Sequence, residues 1–245
     1  TIIKFIFFLQ VHVLFSNFQE ETETIILGAE SIEEFLPIIE NNKIGLVSNS
    51  SSIIRTDHKP VHLLDTLLKL NQKIKAVFAP EHGFLSNEEN GALIKNDFDF
   101  KRNVNIYSLY GKNKKPSPHQ LKDIDVMVFD LQDVGARFYT YLSTLYYTME
   151  ACAENKIPLI ILDRPNPNGH YIDGPILEKE FISFVGILEI PIVHGMTFGE
   201  IAKMINGENL IHSNCEIKII KVKNYTHNLP YDLPLPPSPN LPNKT

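Results

Sequence analysis

Four short runs of apolar residues, each followed closely by polar ones, constrain the fold of this chain more than any other feature of its sequence. The runs occupy residues 44–47, 76–79, 126–129 and 159–162, and a fifth, 217–222, lies near the end. Because the first four are continuous rather than alternating, they predict strands covered on both faces. Amphipathic segments separate them, so we expect an α/β fold, Rossmann-like, with a mostly parallel sheet flanked by helices.

Three helix starts carry recognisable signals. Ser31 precedes Glu34 by three residues and Thr197 precedes Glu200 by three. Both pairs match the capping box, in which a hydroxyl and a carboxylate satisfy each other's backbone donors. Pro60 suits the first position of another helix, because proline there loses no hydrogen bond.

Two longer segments complete the secondary-structure prediction. Residues 141–154 place apolar side chains at helical spacing, and this stripe indicates packing against the core rather than a cofactor site. Residues 84–120 are polar and broken by Gly and Pro, so we expect an irregular excursion with a short strand near 104–109. Long loops of this kind in a domain are usually functional.

Composition disfavours several classes of function. Lys and Arg number 23 against 29 Asp and Glu, a net charge of −6, which gives no basic surface for nucleic acid. The glycine-rich phosphate loops and the G-x-S-x-G motif are absent from the sequence. Cys152 and Cys215 are too few for a disulfide scaffold, and no ligand spacing indicates a metal site. We expect Cys152 to be a buried thiol, and we expect no cofactor.

The first residues have a different character from the rest. Residues 1–18 carry an apolar run behind Lys4 that is too short to span a bilayer. The run resembles a secretory signal peptide with its first residues missing. We therefore expect an exported protein, in the periplasm, the cell envelope or the medium, with no stable membrane span. Residues 24–229 then form the globular domain.

Polar residues follow each of the first four runs. Because the carboxyl ends of parallel strands lie along one edge of the sheet, and ligands bind in the crevice there, these side chains are expected to gather at one place. The residues concerned are Asn49, Glu81, His82, Asp130, Gln132, Asp133, Asp163, Arg164 and Asn166.

Glu81 is the sharpest candidate among them. It comes just beyond a strand predicted to be buried, and His82 and Gly83 give it a partner and close backbone access. This arrangement suits general acid or base chemistry. The alternative is a carboxylate at a helix N-terminus or in a surface ion pair, and aspartates at strand ends are often turn or capping residues.

Glu81 belongs to a group of four carboxylates on the predicted edge, with Asp130, Asp133 and Asp163. They would repel one another unless some share protons or bind a ligand. Glycoside hydrolysis needs two carboxyl groups in different roles, and this edge can supply them.

Cationic and amide side chains accompany these carboxylates. Arg137 and Arg164 suit bidentate binding of an anionic substituent, or else they pair with the aspartates of the edge. His194 either faces the same edge or is an ordinary loop histidine. Asn166 lies in a turn bounded by prolines, and its amide group suits hydrogen bonding to sugar hydroxyl groups.

Seven blocks of this sequence stand out in order along the chain: APEHGF at 79–84, FDLQDVGARFYTY at 129–141, LDRPNPNG at 162–169, DGP at 173–175, SFVG at 183–186, PIVHGMT at 191–197 and PSPNLP at 237–242. They resemble the blocks of the YbbC/NamZ family, whose members are exo-β-N-acetylmuramidases of peptidoglycan turnover. The resemblance implies a Rossmann-like catalytic domain followed by a smaller C-terminal domain. It also implies release of N-acetylmuramic acid from non-reducing ends of glycan fragments.

The resemblance also implies roles for individual residues. Glu81 is the expected general acid or base, Asp130, Asp133 or Asp163 the second carboxyl group, and Arg137 or Arg164 the holder of the lactyl carboxylate of muramic acid. The other residues expected to bind the glycan are Asn49, His82, Gln132, Tyr139, Asp163, Asn166 and His194.

Two departures from the family accompany this resemblance. Leu85 and Ser86 stand where relatives commonly carry Arg-Gly. The proline-rich residues 230–245 are the expected linker to a C-terminal domain that this sequence lacks. Two other functions stay open at this level: a non-catalytic binder of cell-wall sugar, and another α/β hydrolase such as an amidase or a metal-dependent esterase.

Overall fold

A computed structural model describes residues 24–85 and 96–236. The predicted signal segment, residues 1–18, lies outside them, as do residues 237–245 of the predicted linker. The strands are β1 (Lys43–Ser48), β2 (Ile53–Ile54), β3 (Val61–His62), β4 (Lys73–Ala79), β5 (Asp97–Asp99), β6 (Val104–Ser108), β7 (Val126–Asp130), β8 (Leu159–Leu162) and β9 (Ile217–Ile220). The helices are α1 (Ile32–Ile39), α2 (Leu63–Lys69), α3 (Pro118–Leu121), α4 (Tyr141–Asn155) and α5 (Phe198–Gly207).

Seven of the strands form one sheet in the order β5-β6-β4-β1-β7-β8-β9. Every neighbouring pair is parallel except β5 and β6. The chain builds outward from β1 through β4 to β6 and then restarts at β7 on the other side of β1. The predicted α/β fold with a mostly parallel sheet is confirmed. Its strand order reverses between β1 and β7, which is where open sheets of this kind bind ligands.

Helices cover both faces of the sheet. Val47 and Phe129 point into one apolar cluster, together with side chains of α4 and α5. Their neighbours Leu46 and Val128 point into the opposite cluster, together with side chains of α1 and α2. Alternate residues of one strand thus enter different cores, and burial of both faces accounts for the continuous apolar runs.

The helix starts were predicted with mixed success. Thr197 forms the expected capping box, since its Oγ1 accepts from Glu200 N at 3.3 Å and the Glu200 carboxylate accepts from Thr197 N at 2.9 Å. The capping box at Ser31 is wrong. A 3₁₀ turn, Gly28–Glu30, runs directly into α1, so Ser31 lacks the extended backbone of an N-cap, and its hydroxyl has no hydrogen-bond partner in the described part of the chain.

Pro60 is not a helix start either. The residues after it form β3, which pairs antiparallel with β2. The helix begins only at Leu63, where His62 Nδ1 accepts from Leu64 N at 3.1 Å. Strand β3 therefore occupies the residues directly after Pro60, where the sequence predicts the start of a helix.

The remaining segments bear on other predictions. The described part of residues 84–120 contains β5, β6 and α3, and β6 is the strand expected near 104–109. Cys152 is buried and unoxidised, as predicted. Leu233, in the segment predicted to be a linker, is only 2% exposed. No helix within residues 24–85 and 96–236 is long and apolar enough to cross a membrane.

Candidate active site

The loops after β1, β4, β7 and β8 meet at the carboxyl edge of the sheet. Hydrogen bonds join them directly: Gln132 N donates to Ser51 Oγ at 3.3 Å, and Gln132 Nε2 donates to Pro165 O at 2.8 Å. The polar residues that follow the strands thus lie together, as expected from the sequence. The four carboxylates nevertheless have different partners, and these partners distinguish their roles.

Asp130 is neutralised by Arg164. Nε and Nη2 of Arg164 donate to the two carboxylate oxygens at 2.6 and 3.0 Å, and the two side chains are no more than 1% exposed. Burial lowers the pKa of Arg164, but the charge and hydrogen bonds of Asp130 outweigh it and raise that pKa. Of the two alternatives for Arg164, the structure has the pairing with an aspartate. The pair holds β7 to the loop after β8.

Asp163 caps a helix. Its Oδ2 accepts from Thr197 Oγ1 at 2.7 Å and its Oδ1 accepts from Gly199 N at 2.9 Å, in the first turn of α5. Arg164 N also donates to Oδ1, at 3.1 Å. Burial raises the pKa of Asp163 to about 6, although the three donors lower it. Both oxygens therefore serve the connection between β8 and α5.

Asp133 differs from the other two aspartates because one of its oxygens is unused. Oδ2 accepts from Gly135 N at 3.2 Å and lies 3.3 Å from His194 Nε2, whereas the buried Oδ1 has no partner among the residues that the structure describes. Met196 N donates to Nδ1 of His194, which leaves the proton of a neutral ring on Nε2. Asp133 and His194 therefore form a buried acid–histidine pair with unsatisfied polar atoms.

Gln132 adds a third unsatisfied atom. Its Nε2 donates to Asp133 O and Pro165 O, while the buried Oε1 has no partner in the described part of the chain. Buried polar atoms without partners are costly unless water or a ligand meets them. Such atoms occur elsewhere in the described chain too, but those of Gln132, Asp133, Arg164 and His194 all lie in loops at this edge, and their grouping indicates a binding site.

Glu81 sits on a tight turn after β4. Gly83 N donates to Pro80 O at 3.1 Å, and His82 has a φ of 69°. A non-glycine residue in this left-handed region is strained, and such strain concentrates at functional sites. Unlike the three buried aspartates, Glu81 is partly exposed. Its Oε2 accepts from Thr140 Oγ1 at 2.6 Å.

Tyr110, in the loop after β6, also contacts this carboxylate. Burial raises the pKa of Tyr110, and the hydrogen bond and charge of Glu81 raise it further. Glu81 is therefore approached from two loops other than its own.

Two predicted binding residues are committed to the protein itself. Asn166 Nδ2 donates to Met196 O at 3.0 Å and its Oδ1 accepts from Asn168 N at 2.8 Å. Asn49 Nδ2 donates to Tyr141 Oη at 2.9 Å. These amides therefore hold together the loops at the sheet edge.

Arg137 and Tyr139 lie in the loop that leads into α4. Arg137 Nη1 donates to Pro175 O at 2.9 Å and also to Ile190 O, and its side chain is half-buried. The Tyr139 ring packs beside that of Phe138, which is 52% exposed. Both predicted residues are therefore partly exposed in this loop.

Sequence reasoning missed Thr140 and Tyr110. Thr140 carried a misleading signal, since a threonine directly before a helix is expected to cap it. Tyr110 carried none, because it lies in the segment predicted to be irregular. Within residues 24–85 and 96–236, no group of three His, Cys, Asp or Glu side chains is placed to hold a metal ion.

The sequence matches a known protein family. The family described as "Exo-beta-N-acetylmuramidase NamZ, N-terminal" matches residues 44–245. The curated Peptidoglycan beta-N-acetylmuramidase NamZ of Bacillus subtilis (strain 168) is 43% identical over 209 residues, which are 83% of this chain and 50% of that protein. The chain thus spans about half the length of the curated relative that it matches.

Two solved structures of DUF1343 family proteins from Bacteroides fragilis NCTC 9343 share the fold. The first is 47% identical with a TM-score of 0.79, covering 90% of this chain and 58% of its own. The second is 36% identical with a TM-score of 0.80, covering 90% and 56%. The family match extends over most of the sequence, so this chain belongs to the family of the N-terminal domain of the exo-β-N-acetylmuramidase NamZ.

Proposed function

We propose that this chain carries the catalytic site of an exo-β-N-acetylmuramidase, which hydrolyses the terminal N-acetylmuramic acid linkage of peptidoglycan fragments. One observation carries the proposal. Of the four carboxylates at the sheet edge, Glu81 is the partly exposed one and Asp133 alone keeps a buried oxygen without a partner in the described chain. Glycoside hydrolysis needs two carboxyl groups in different roles, and these two keep an exposed or unpaired oxygen.

Glu81 and Asp133 would divide the chemistry between them. The bond between C1 of the muramic acid and the leaving oxygen breaks as the protonated carboxyl group gives its proton to that oxygen. Water supplies a hydroxyl group to C1, and the remaining proton of the water passes to a carboxylate of the pair. The partly exposed Glu81 lies where a glycan can reach it, and Asp133 is oriented by the hydrogen bond from Gly135 N. Asp130 and Asp163 are left to structural roles by their own partners.

The anionic lactyl group needs a cation or another donor. Arg164 is buried and holds Asp130 through Nε and Nη2, whereas Arg137 is half-buried, so the proposal assigns this group to Arg137. Nη1 of Arg137 is held by two backbone carbonyls, and this orients the planar guanidinium. Gln132 and His194 would meet sugar hydroxyl or acetamido groups with their unsatisfied atoms.

The relative's name refers to peptidoglycan, and the apolar run at residues 1–18 supports a location outside the cytoplasm, where that substrate lies. We therefore include export in the proposal. Fusion of residues 1–18 to a reporter that is active only after export tests this part. Reporter activity supports export, and a reporter retained in the cytoplasm contradicts it.

Incubation with a disaccharide of N-acetylmuramic acid and N-acetylglucosamine tests the reaction itself. Release of free N-acetylmuramic acid, detected by mass spectrometry, is the expected result. Binding without release would indicate a sugar-binding protein instead. Release only of peptide or acyl groups from muropeptides, with loss of activity in chelator, would indicate an amidase or metal-dependent esterase.

A further inference from the structure

Thr140 occupies the N-cap position of α4 but does not cap the helix. The hydroxyl groups of Ser117 and Thr197 accept a backbone N–H in the first turns of α3 and α5. Thr140 has a helical backbone, makes no side-chain cap, and donates its hydroxyl proton to Glu81 Oε2 at 2.6 Å. A residue type that commonly caps helices thus binds a carboxylate here instead.

Tyr110 contacts the same carboxylate from the loop after β6, and its own ring is packed against another aromatic ring. Its ring lies 5.8 Å from that of Phe184, which stacks on Tyr147 of α4. Ser143 Oγ, one turn into α4, donates to Phe184 O at 2.7 Å. The 15-residue helix α4 therefore supports Thr140 directly and Tyr110 through Phe184.

Glu81 needs such support because of where it stands. It belongs to a turn rather than to a strand, and its long side chain has several rotamers of similar energy. A reacting carboxylate must be held close to one geometry, and side chains mounted on rigid elements do this best. Positive partial charge at the N-terminus of α4 also attracts the carboxylate.

We propose that Thr140 and Tyr110 are positioning residues that hold the Glu81 carboxylate in its reacting orientation. The inference rests on the proposed function in one respect, namely that Glu81 reacts with the glycan. Neither residue needs to touch the substrate, so their removal lowers the rate of the chemical step and leaves substrate binding almost unchanged.

Thr140→Val and Tyr110→Phe each remove one hydroxyl group at nearly constant shape. Loss of a hydrogen bond to a charged group predicts a kcat about 10- to 100-fold lower in Thr140→Val, with KM changed by less than about twofold. Thr140→Ser restores the donor and should keep kcat within about threefold of the parent chain. Tyr110→Phe should lower kcat in the same direction.

Thr148→Val is the matched control. Thr148 lies on α4 too, is fully buried, and its hydroxyl has no partner in the described part of the chain. The same substitution there leaves Glu81 untouched, so kcat should stay at the parent value. An equal fall of kcat in Thr148→Val and Thr140→Val, or no fall in Thr140→Val, would overturn the inference.

A spectroscopic readout tests the contact independently of activity. In ¹³C-labelled protein the carboxyl resonance of Glu81, assigned by its absence in Glu81→Gln, should move in Thr140→Val and stay in place in Thr148→Val. An unchanged resonance in Thr140→Val contradicts the positioning role. If the parent chain releases no muramic acid, the proposed function fails for this chain, and the resonance still decides the positioning role.

Discussion

Asp163 shows how a single buried carboxyl group couples this fold to pH. An unfolded Asp titrates near its ordinary pKa of 3.8, whereas burial raises the pKa of Asp163 in the folded chain to about 6. The folded state therefore binds the proton more tightly between these two values. Its contribution to the free energy of unfolding falls as the pH rises through this window, by up to about 3 kcal/mol.

Asp163→Asn removes the titration and keeps an oxygen that can accept from Gly199 N. Between about pH 4 and about pH 7 the variant should gain stability relative to the parent chain, by up to about 3 kcal/mol of unfolding free energy. Urea denaturation at each pH measures it. A difference that stays constant with pH would show that Asp163 does not titrate in this range.

Asp130 and Arg164 are a second test at the same scale. Arg164→Met leaves a carboxylate buried without its cation, which predicts a loss of about 3–5 kcal/mol in the free energy of unfolding. The exposed pair of Lys223 and Glu34 is the control, because Lys223→Met should change stability far less than the loss of a buried cation does. Similar losses in both variants would contradict the structural role assigned to the buried pair.

At the scale of elements, burial explains what could be predicted. Strands β1, β4, β7 and β8 were located because each is covered on both faces and so must be continuously apolar. The long helix α4 was located because its apolar residues recur at helical spacing. Local capping signals were less reliable: Thr197 caps α5, but Ser31 follows a 3₁₀ turn and Thr140 is directed to Glu81.

Gly135 carries a prediction that belongs to this scale, since it shapes the loop between β7 and α4. Its φ is 77°, and an added Cβ would lie 2.1 Å from Asn166 Oδ1, whose side chain holds Met196 O. Gly135→Ala should therefore displace Asn166 and cost about 1–3 kcal/mol of unfolding free energy.

Gly207→Ala provides the comparison, because nothing lies within 4 Å of the added carbon and the residue ends α5. It should be neutral or stabilising by up to about 1 kcal/mol. Urea denaturation of both variants checks the pair. Equal stability of the two alanine variants would show that Gly135 is not conformationally required.

At the scale of the whole molecule, strand order brings the site together. The carboxyl ends of β1, β4, β7 and β8 meet beside the switch point between β1 and β7. This edge could be predicted because polar residues follow every one of those strands. The hydrogen-bond partners at this edge could not be predicted. The pairing of Asp130 with Arg164, and of Glu81 with Thr140, depends on how separate loops meet after folding.

The division among the carboxylates is the main change from the sequence prediction. Four like charges on one edge suggested mutual repulsion, yet each carboxylate has its own hydrogen-bond donors. The partners of Asp130 and Asp163 bind strands and helices together. Glu81 and Asp133 keep an exposed or unpaired oxygen, and the proposed function assigns the chemistry to these two residues.

The most direct test of the account is the rate at which N-acetylmuramic acid is released from its disaccharide by the parent chain, by Glu81→Gln and by the control Glu189→Gln. The amide oxygen introduced by Glu81→Gln can still accept from Thr140 Oγ1, so the fold should be retained, and Glu189 is exposed. We predict that Glu81→Gln lowers the rate by at least about 100-fold while Glu189→Gln leaves it unchanged. A folded Glu81→Gln variant that releases muramic acid at the parent rate would contradict the account.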